Sequence, residues 1–201
     1  MNKIIISLML VIFSFPCNFA QNKYHNNHKN KLQVKSACDL LANVNDNLNY
    51  ICDNARSLVD SSQNSCMIIL LDSLKSISIK TKNIKTYVAL DSLASYTFIS
   101  SSTEAFPSDV FEAIIPDIFY KNFNDFIIYL YNNPKSHLRK ILIDGLGTKS
   151  SLPEKFKDYK NSQAFIDEKI GDGNYSKALN SYIIKIETDI RNCKYRLNNL
   201  F

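Results

Sequence analysis

The stretch of sequence that decides the fold class is VKSACDLLANVNDNLNYICDNARSLVD, residues 34–60. Its apolar residues follow alternating steps of four and three, at Ala37, Leu41, Val44, Leu48, Ile51, Ala55 and Leu58. This spacing places them along one side of an α-helix, whereas a half-buried strand would alternate at every second residue. The sequence therefore predicts one long amphipathic helix over residues 34–60, with a narrow apolar seam.

The opposite side of this predicted helix carries Asp39, Asp46, Asp53 and Asp60, again seven residues apart. Such residues are separated by two turns, about 10 Å along the axis, so that two carboxylates cannot share one ion. In heptad terms the aspartates occupy the position furthest from the packed seam. We therefore expect a solvated face, and no metal site.

The same spacing of three and four recurs through the rest of the chain. It predicts an all-α fold, an irregular helical array of about six to eight amphipathic helices. Pro116 should kink or divide its helix, and Gly145 and Gly147 should end theirs. Further helices are expected at residues 66–77, 83–99, 107–119, 123–131, 151–170 and 175–199, and one runs through Leu138 to the glycine stop at Gly145 and Gly147. A short buried strand is the alternative for the apolar run that begins at Cys66.

Helix pairs with a period of about 40 residues over 83–146 resemble a HEAT-like short α-solenoid in length and rhythm. The sequence itself does not repeat visibly within this stretch. The resemblance implies an alternative arrangement of the helices and no particular function.

The N-terminus has the pattern of a cleavable secretory signal over residues 1–20. A cationic start is followed by an apolar run from Ile4 to Phe13, which is shorter than the roughly 20 residues of a bilayer span. Cleavage is expected after the small residue Ala20. Residues 21–33 are polar and predict a flexible tail, and residues 34–201 predict a single helical domain.

The cysteines are those expected of an exported protein in the periplasm or outside the cell. Cys17 lies in the leader, and its lipidation is the alternative, although Ser-Phe-Pro before it does not form a lipobox. The other four can form two disulfides in three ways. Antiparallel packing of the first and last helices would pair Cys38 with Cys193 and leave Cys52 with Cys66. Parallel packing would favour Cys52 with Cys193.

Composition narrows the classes of partner. The net charge of +5 is mild, and no run of basic residues exceeds two, so we expect no nucleic-acid partner. After signal removal no apolar run approaches the length of a transmembrane segment. The four glycines form no phosphate-binding loop, and we expect no cofactor.

Catalytic residues are hard to assign, because His137 is the only histidine in the predicted domain. It could act as a general base oriented by Asp125 or Asp144, but no nucleophile is placed beside it. The sequence thus offers no catalytic constellation.

The stretch 119–131 is unusually aromatic and supplies the candidate binding residues. Helical spacing directs Phe119, Phe123 and Phe126 to the core, whereas exposed tyrosines on a rigid scaffold are typical binding anchors. The candidates are Tyr120, Tyr129 and Tyr131.

Two functional hypotheses follow from these patterns. The first is a non-enzymatic exported protein that binds a protein partner in the periplasm or at the cell surface, in the manner of an adaptor or an immunity protein. The alternative is a small secreted hydrolase acting on cell-wall or polysaccharide material. The alternative requires a cleft with two close carboxylates or a cluster centred on His137.

Overall fold

A computed structural model describes residues 35–97, 108–147 and 159–198, all of which belong to one compact unit, Val34–Phe201. The predicted signal at 1–20, with Cys17, and the predicted tail at 21–33 lie outside the described residues.

The described residues form helices and contain no strand, which confirms the all-α prediction. None of these helices combines the length and apolar character needed to cross a bilayer. In chain order the α-helices are α1 (Ala37–Leu40), α2 (Leu48–Asp53), α3 (Ala55–Ser61), α4 (Asn64–Thr81), α5 (Ile84–Thr97), α6 (Ser108–Lys121), α7 (Phe123–Asn132), α8 (His137–Gly147), α9 (Tyr159–Asp172) and α10 (Lys177–Asn198).

The long helix predicted over residues 34–60 is broken, because two 3₁₀ turns, Leu41–Asn43 and Asn45–Asn47, separate α1 from α2. Asparagine side chains bond to the backbone locally here and compete with regular helix geometry. Asn47 Nδ2 donates to the carbonyl of Asn43 at 2.7 Å, and Asn54 Nδ2 donates to the carbonyl of Tyr50 at 2.9 Å.

The break changes which leucine faces the core. Leu40 is fully buried and Leu41 is only half-buried, the reverse of the predicted seam. The other predicted seam residues are buried, as expected, namely Ala37, Val44, Leu48, Ile51, Ala55 and Leu58. The four aspartates of the opposite face are exposed, which confirms the solvated face.

The helices pack in two rows. In one row α5 lies between α2 and α3 on one side and α7 on the other, and in the second row α6 lies between α4 and α8. The two rows meet where α4 and α8 pack against α5, and α10 lies against α8. A HEAT-like repeat stays a prediction.

Small residues allow α8 to approach its neighbours closely. A Cβ atom on Gly145 would lie 2.8 Å from the carbonyl oxygen of Glu112 in α6, and one on Gly147 would lie 2.7 Å from Cys193 Sγ in α10. Gly145 therefore lies inside α8 and does not end it; the helix ends at Gly147. Pro116 lies within α6 and does not divide it, since that helix runs on to Lys121.

The joint between α6 and α7 is fixed by a buried amide. Asn122 Nδ2 donates to the carbonyl of Ser78 at 3.0 Å and to the hydroxyl of Tyr87 at 2.8 Å. Since buried polar groups are costly without partners, these bonds tie the joint to α4 and α5.

The disulfide joins Cys38 to Cys66, so the predicted pairings Cys38–Cys193 and Cys52–Cys66 are wrong. The predicted antiparallel contact between first and last helices does not form, because α1 packs on α4 whereas α10 packs on α7, α8 and α9. Cys193 Sγ lies 3.9 Å from Asp144 Oδ1, and Cys52 is a half-buried thiol on α2. A Cys38–Cys66 disulfide is compatible with an oxidising compartment.

Candidate functional site

An open groove of about 550 Å³ follows the surface between α5 and α7 and ends at the turn into α8. Helix α5 packs against α7, and the turn between α7 and α8 contributes residues to the lining. Its lining residues are Val88, Asp91, Ser92 and Ser95 of α5, Tyr129 and Asn132 of α7, and residues 133–137 of the turn and of α8.

Asp91 is the centre of this groove. Its carboxylate accepts a hydrogen bond from the Tyr129 hydroxyl at 3.0 Å and another from the backbone N–H of His137 at 2.8 Å. The second bond satisfies an N–H in the first turn of α8, which otherwise lacks a partner within its own helix. Asp91 thus joins three helices, and only 19% of its side chain is exposed.

The turn between α7 and α8 is held by further local bonds. Ser136 Oγ accepts from the backbone N–H of Leu138 at 3.2 Å, and Asn133 Nδ2 donates to the carbonyl of Tyr129 at 2.8 Å. Local hydrogen bonds therefore hold the end of the groove within the protein itself.

The imidazole of His137 lies beside Asp91, with Nδ1 3.6 Å from Oδ1 and 45% of the side chain exposed. This distance is too long for a hydrogen bond and short enough for an ion pair when the ring is protonated. The expected partners of His137 were Asp125 and Asp144, and this prediction is wrong. Asp125 Oδ2 lies 3.9 Å from Lys82 Nζ instead, and Asp144 lies beside Cys193.

The hydroxyl groups of the groove are engaged elsewhere. Ser95 Oγ donates to the carbonyl of Ser92 at 2.7 Å, and in the described part of the chain no hydroxyl is hydrogen-bonded to the imidazole of His137. Burial, followed by the neighbouring Asp53, raises the pKa of the Cys52 thiol, which disfavours the nucleophilic thiolate. Within the described ranges no three His, Cys, Asp or Glu side chains are grouped to hold a metal ion.

The three candidate tyrosines are not brought together. Tyr129 is 3% exposed and lines the groove; burial, followed by Asp91, raises its pKa, so that its hydroxyl is a neutral donor. Tyr120 is half-buried, with its ring 4.7 Å from that of Phe165. Tyr131 is exposed, and its ring lies 5.4 Å from that of Tyr182 on α10, outside the groove lining.

Exposed apolar side chains extend the groove along α5, a feature that the sequence reading missed. Ile84 and Val88 are 54% and 41% exposed, and with Asp91 and Ser95 they follow steps of four, three and four on one face. The sequence signal that could have revealed this surface was the helical spacing itself, which places two apolar residues and then Asp91 on one face of α5. Ile128 on α7 is also exposed.

The groove combines groups that can bind a ligand. It presents a rigid carboxylate, an imidazole and an exposed apolar stripe in one open surface, without a nucleophile bonded to a base in the described residues. No protein-family model, curated protein or solved structure matches the chain.

Proposed function

We propose that this is an exported, non-enzymatic helical protein that binds a protein partner in the periplasm or at the cell surface, as an adaptor or an immunity protein does. The observation that carries the proposal is the exposed stripe of Ile84 and Val88, which leads directly to the carboxylate of Asp91. An apolar patch beside a fixed polar group is typical of the centre and rim of a protein interface.

The shape of the groove supports a macromolecular partner. Sites for small molecules usually enclose most of the ligand, whereas this groove is open along its length. Side chains projecting from another protein surface can enter such a groove without any movement of α5 or α7. The bonds of Asp91 hold the receiving surface in place beforehand, which lowers the entropy lost on binding.

Two observations support export. The leader pattern at residues 1–20 predicts secretion, and the Cys38–Cys66 disulfide fits an oxidising compartment. The proposal therefore places the partner in the periplasm or at the cell surface.

Site-specific crosslinking tests the proposed interface. A photoreactive phenylalanine analogue at position 88 should give one discrete adduct in envelope extracts, and the same analogue at position 69 should not. Ile69 is the control, because at 51% it is at least as exposed as Val88 at 41% but lies on α4. Identical adducts at both positions, or no adduct at position 88, would contradict binding through the groove.

A small secreted hydrolase is the second candidate, and the observation in its favour is that His137 and Asp91 share one groove. Asp91 is the only carboxylate in the lining described, so the paired acids of most glycosidases are not assembled there. Purified protein should then release soluble fragments from cell-wall or polysaccharide substrates, and His137→Ala should abolish release. Absence of any release by the wild-type protein excludes this candidate.

A further inference from the structure

We infer that the groove receives a basic side chain of the partner, an arginine or a lysine, whose charged head binds Asp91 while its methylene groups lie along Val88. This inference rests on the proposed function and names the chemistry of the partner at the same site. It follows from the charge, the geometry and the walls of the groove.

The carboxylate of Asp91 is held by neutral hydrogen-bond donors in the described part of the protein. Its two hydrogen-bond donors, the Tyr129 hydroxyl and the His137 backbone N–H, are neutral, and none of the described lysines or arginines forms an ion pair with it. The nearest basic atom is His137 Nδ1, at 3.6 Å. These two hydrogen bonds and the N-terminus of α8 stabilise the carboxylate, and a cation in the groove would add a charge-assisted hydrogen bond to it.

The carboxylate also keeps acceptor capacity for a ligand. Oδ2 accepts from Tyr129 and Oδ1 accepts from His137, one bond each, whereas a carboxylate oxygen can accept about two. Both oxygens are therefore held in fixed positions and can each accept one more N–H. A guanidinium group presents paired N–H donors that match this arrangement.

The walls of the groove suit the stem of a long basic side chain. Val88 lies three residues before Asp91 on the same face of α5, and Pro134 contributes a second apolar surface. Arginine and lysine bury their methylene groups against such surfaces while the charged head reaches a polar group. An anionic ligand would instead have to approach Asp91 against its charge, although Lys135 is nearby.

A pair of short peptides distinguishes recognition of the positive charge from nonspecific binding. Acetyl-Ala-Arg-Ala-amide should bind in the millimolar range and shift the backbone amide signals of Asp91, Ser92 and His137 in ¹⁵N spectra. The same peptide with citrulline, which is nearly isosteric but uncharged, should bind about tenfold more weakly. Equal binding of both peptides, arginine-peptide shifts elsewhere on the surface, or no saturable shift with the arginine peptide would overturn the inference.

Two exposed positions on α5 provide matched variants that do not disturb the bonds of Asp91. Val88→Lys places an ammonium group within reach of Asp91 and should weaken arginine-peptide binding about tenfold. Tyr96→Lys adds the same charge at an exposed position of α5 outside the groove lining and should leave binding nearly unchanged. Equal losses in both variants would mean that only net charge matters, which would overturn the inference.

The two proposals can fail separately. If crosslinking at position 88 captures a partner but the arginine peptide does not bind, the inference falls and the proposed function stands. If the arginine peptide binds as expected and position 88 gives no adduct, the basic-ligand site is supported and a protein partner at this groove is contradicted.

Discussion

Tyr87 and Tyr129 show how two hydroxyl groups are accommodated in the core. Each is at most 3% exposed, and each has a partner: Tyr87 accepts from Asn122, and Tyr129 donates to Asp91. Burial is the first cause that raises the pKa of both phenols, followed by the charge of Asp125 for Tyr87 and of Asp91 for Tyr129. Both side chains therefore stay neutral in the folded protein at alkaline pH.

These raised pKa values predict a loss of stability in alkali. The unfolded phenol ionises near its ordinary value of 10, whereas the folded one remains protonated above it. Above pH 10 the folded state then binds more protons than the unfolded state. The two phenols therefore make their full contribution to the free energy of unfolding below pH 10, and this contribution falls as the pH rises above it. Urea denaturation between pH 8 and about 11 should show this decline.

Tyr87→Phe should make the alkaline decline shallower, because it removes one of the groups whose pKa is raised in the folded protein. At neutral pH it should also lower the free energy of unfolding by about 1 kcal/mol, since Asn122 loses an acceptor. Tyr96→Phe, at an exposed site on α5, is the matched control. An unchanged pH dependence in Tyr87→Phe would contradict the explanation.

At the scale of the element, the segment from α1 to α3 shows how far a periodic pattern can be trusted. The steps of three and four identified almost every buried residue of this segment. They could not show that local asparagine bonds would break the helix and exchange Leu41 for Leu40 in the core. A pattern of apolar residues predicts which face of a helical segment is buried. It does not predict which of two adjacent leucines, such as Leu40 and Leu41, occupies the core.

The exchange of leucines can be tested by a matched pair of truncations. Leu40→Ala should lower the free energy of unfolding by about 2–5 kcal/mol, because its side chain is fully buried. Leu41→Ala should cost less than half as much, because that side chain is half-buried. Chemical denaturation of both variants decides the point. A larger loss of stability for Leu41→Ala than for Leu40→Ala would instead favour the continuous helix predicted over residues 34–60.

The Cys38–Cys66 disulfide fastens α1 to α4 across a sequence separation of 28 residues. In the chain-entropy model a loop of this size contributes about 3–4 kcal/mol. The double variant Cys38→Ser with Cys66→Ser should lose this amount in urea denaturation, and Cys52→Ser should lose much less. Peptide mapping without reductant should recover the Cys38–Cys66 link; a link from Cys38 to Cys193 would contradict the structure.

For the whole molecule, the choice of neighbouring helices was the part that the sequence could not provide. Matching seams on the first and last helices suggested that they pair, yet α10 lies against α8. An apolar seam predicts that a helix packs against another helix, but it does not predict which helix that is. The groove has the same origin: Asp91 and His137 are 46 residues apart, and no local pattern connects them.

Close backbone approach is one physical basis for this choice, and Gly145 and Gly171 allow it to be tested. A Cβ at Gly145 would meet the backbone carbonyl of Glu112 at 2.8 Å, whereas one at Gly171 in α9 would meet nothing within 4 Å. Alanine favours a helix over glycine by about 1 kcal/mol at either position. At Gly145 this gain is opposed by overpacking, which costs about 1–3 kcal/mol and here falls on backbone atoms that can move only if α6 and α8 separate.

Gly145→Ala should therefore lower the free energy of unfolding by about 1–2 kcal/mol, and Gly171→Ala should raise it by up to about 1 kcal/mol. Opposite signs for the same substitution in two helices of one protein isolate the packing term from helix propensity. Urea denaturation at neutral pH measures both. If Gly145→Ala were as stable as the wild-type protein, α6 and α8 could not be packed at this distance, and the order of helices in the second row would need revision.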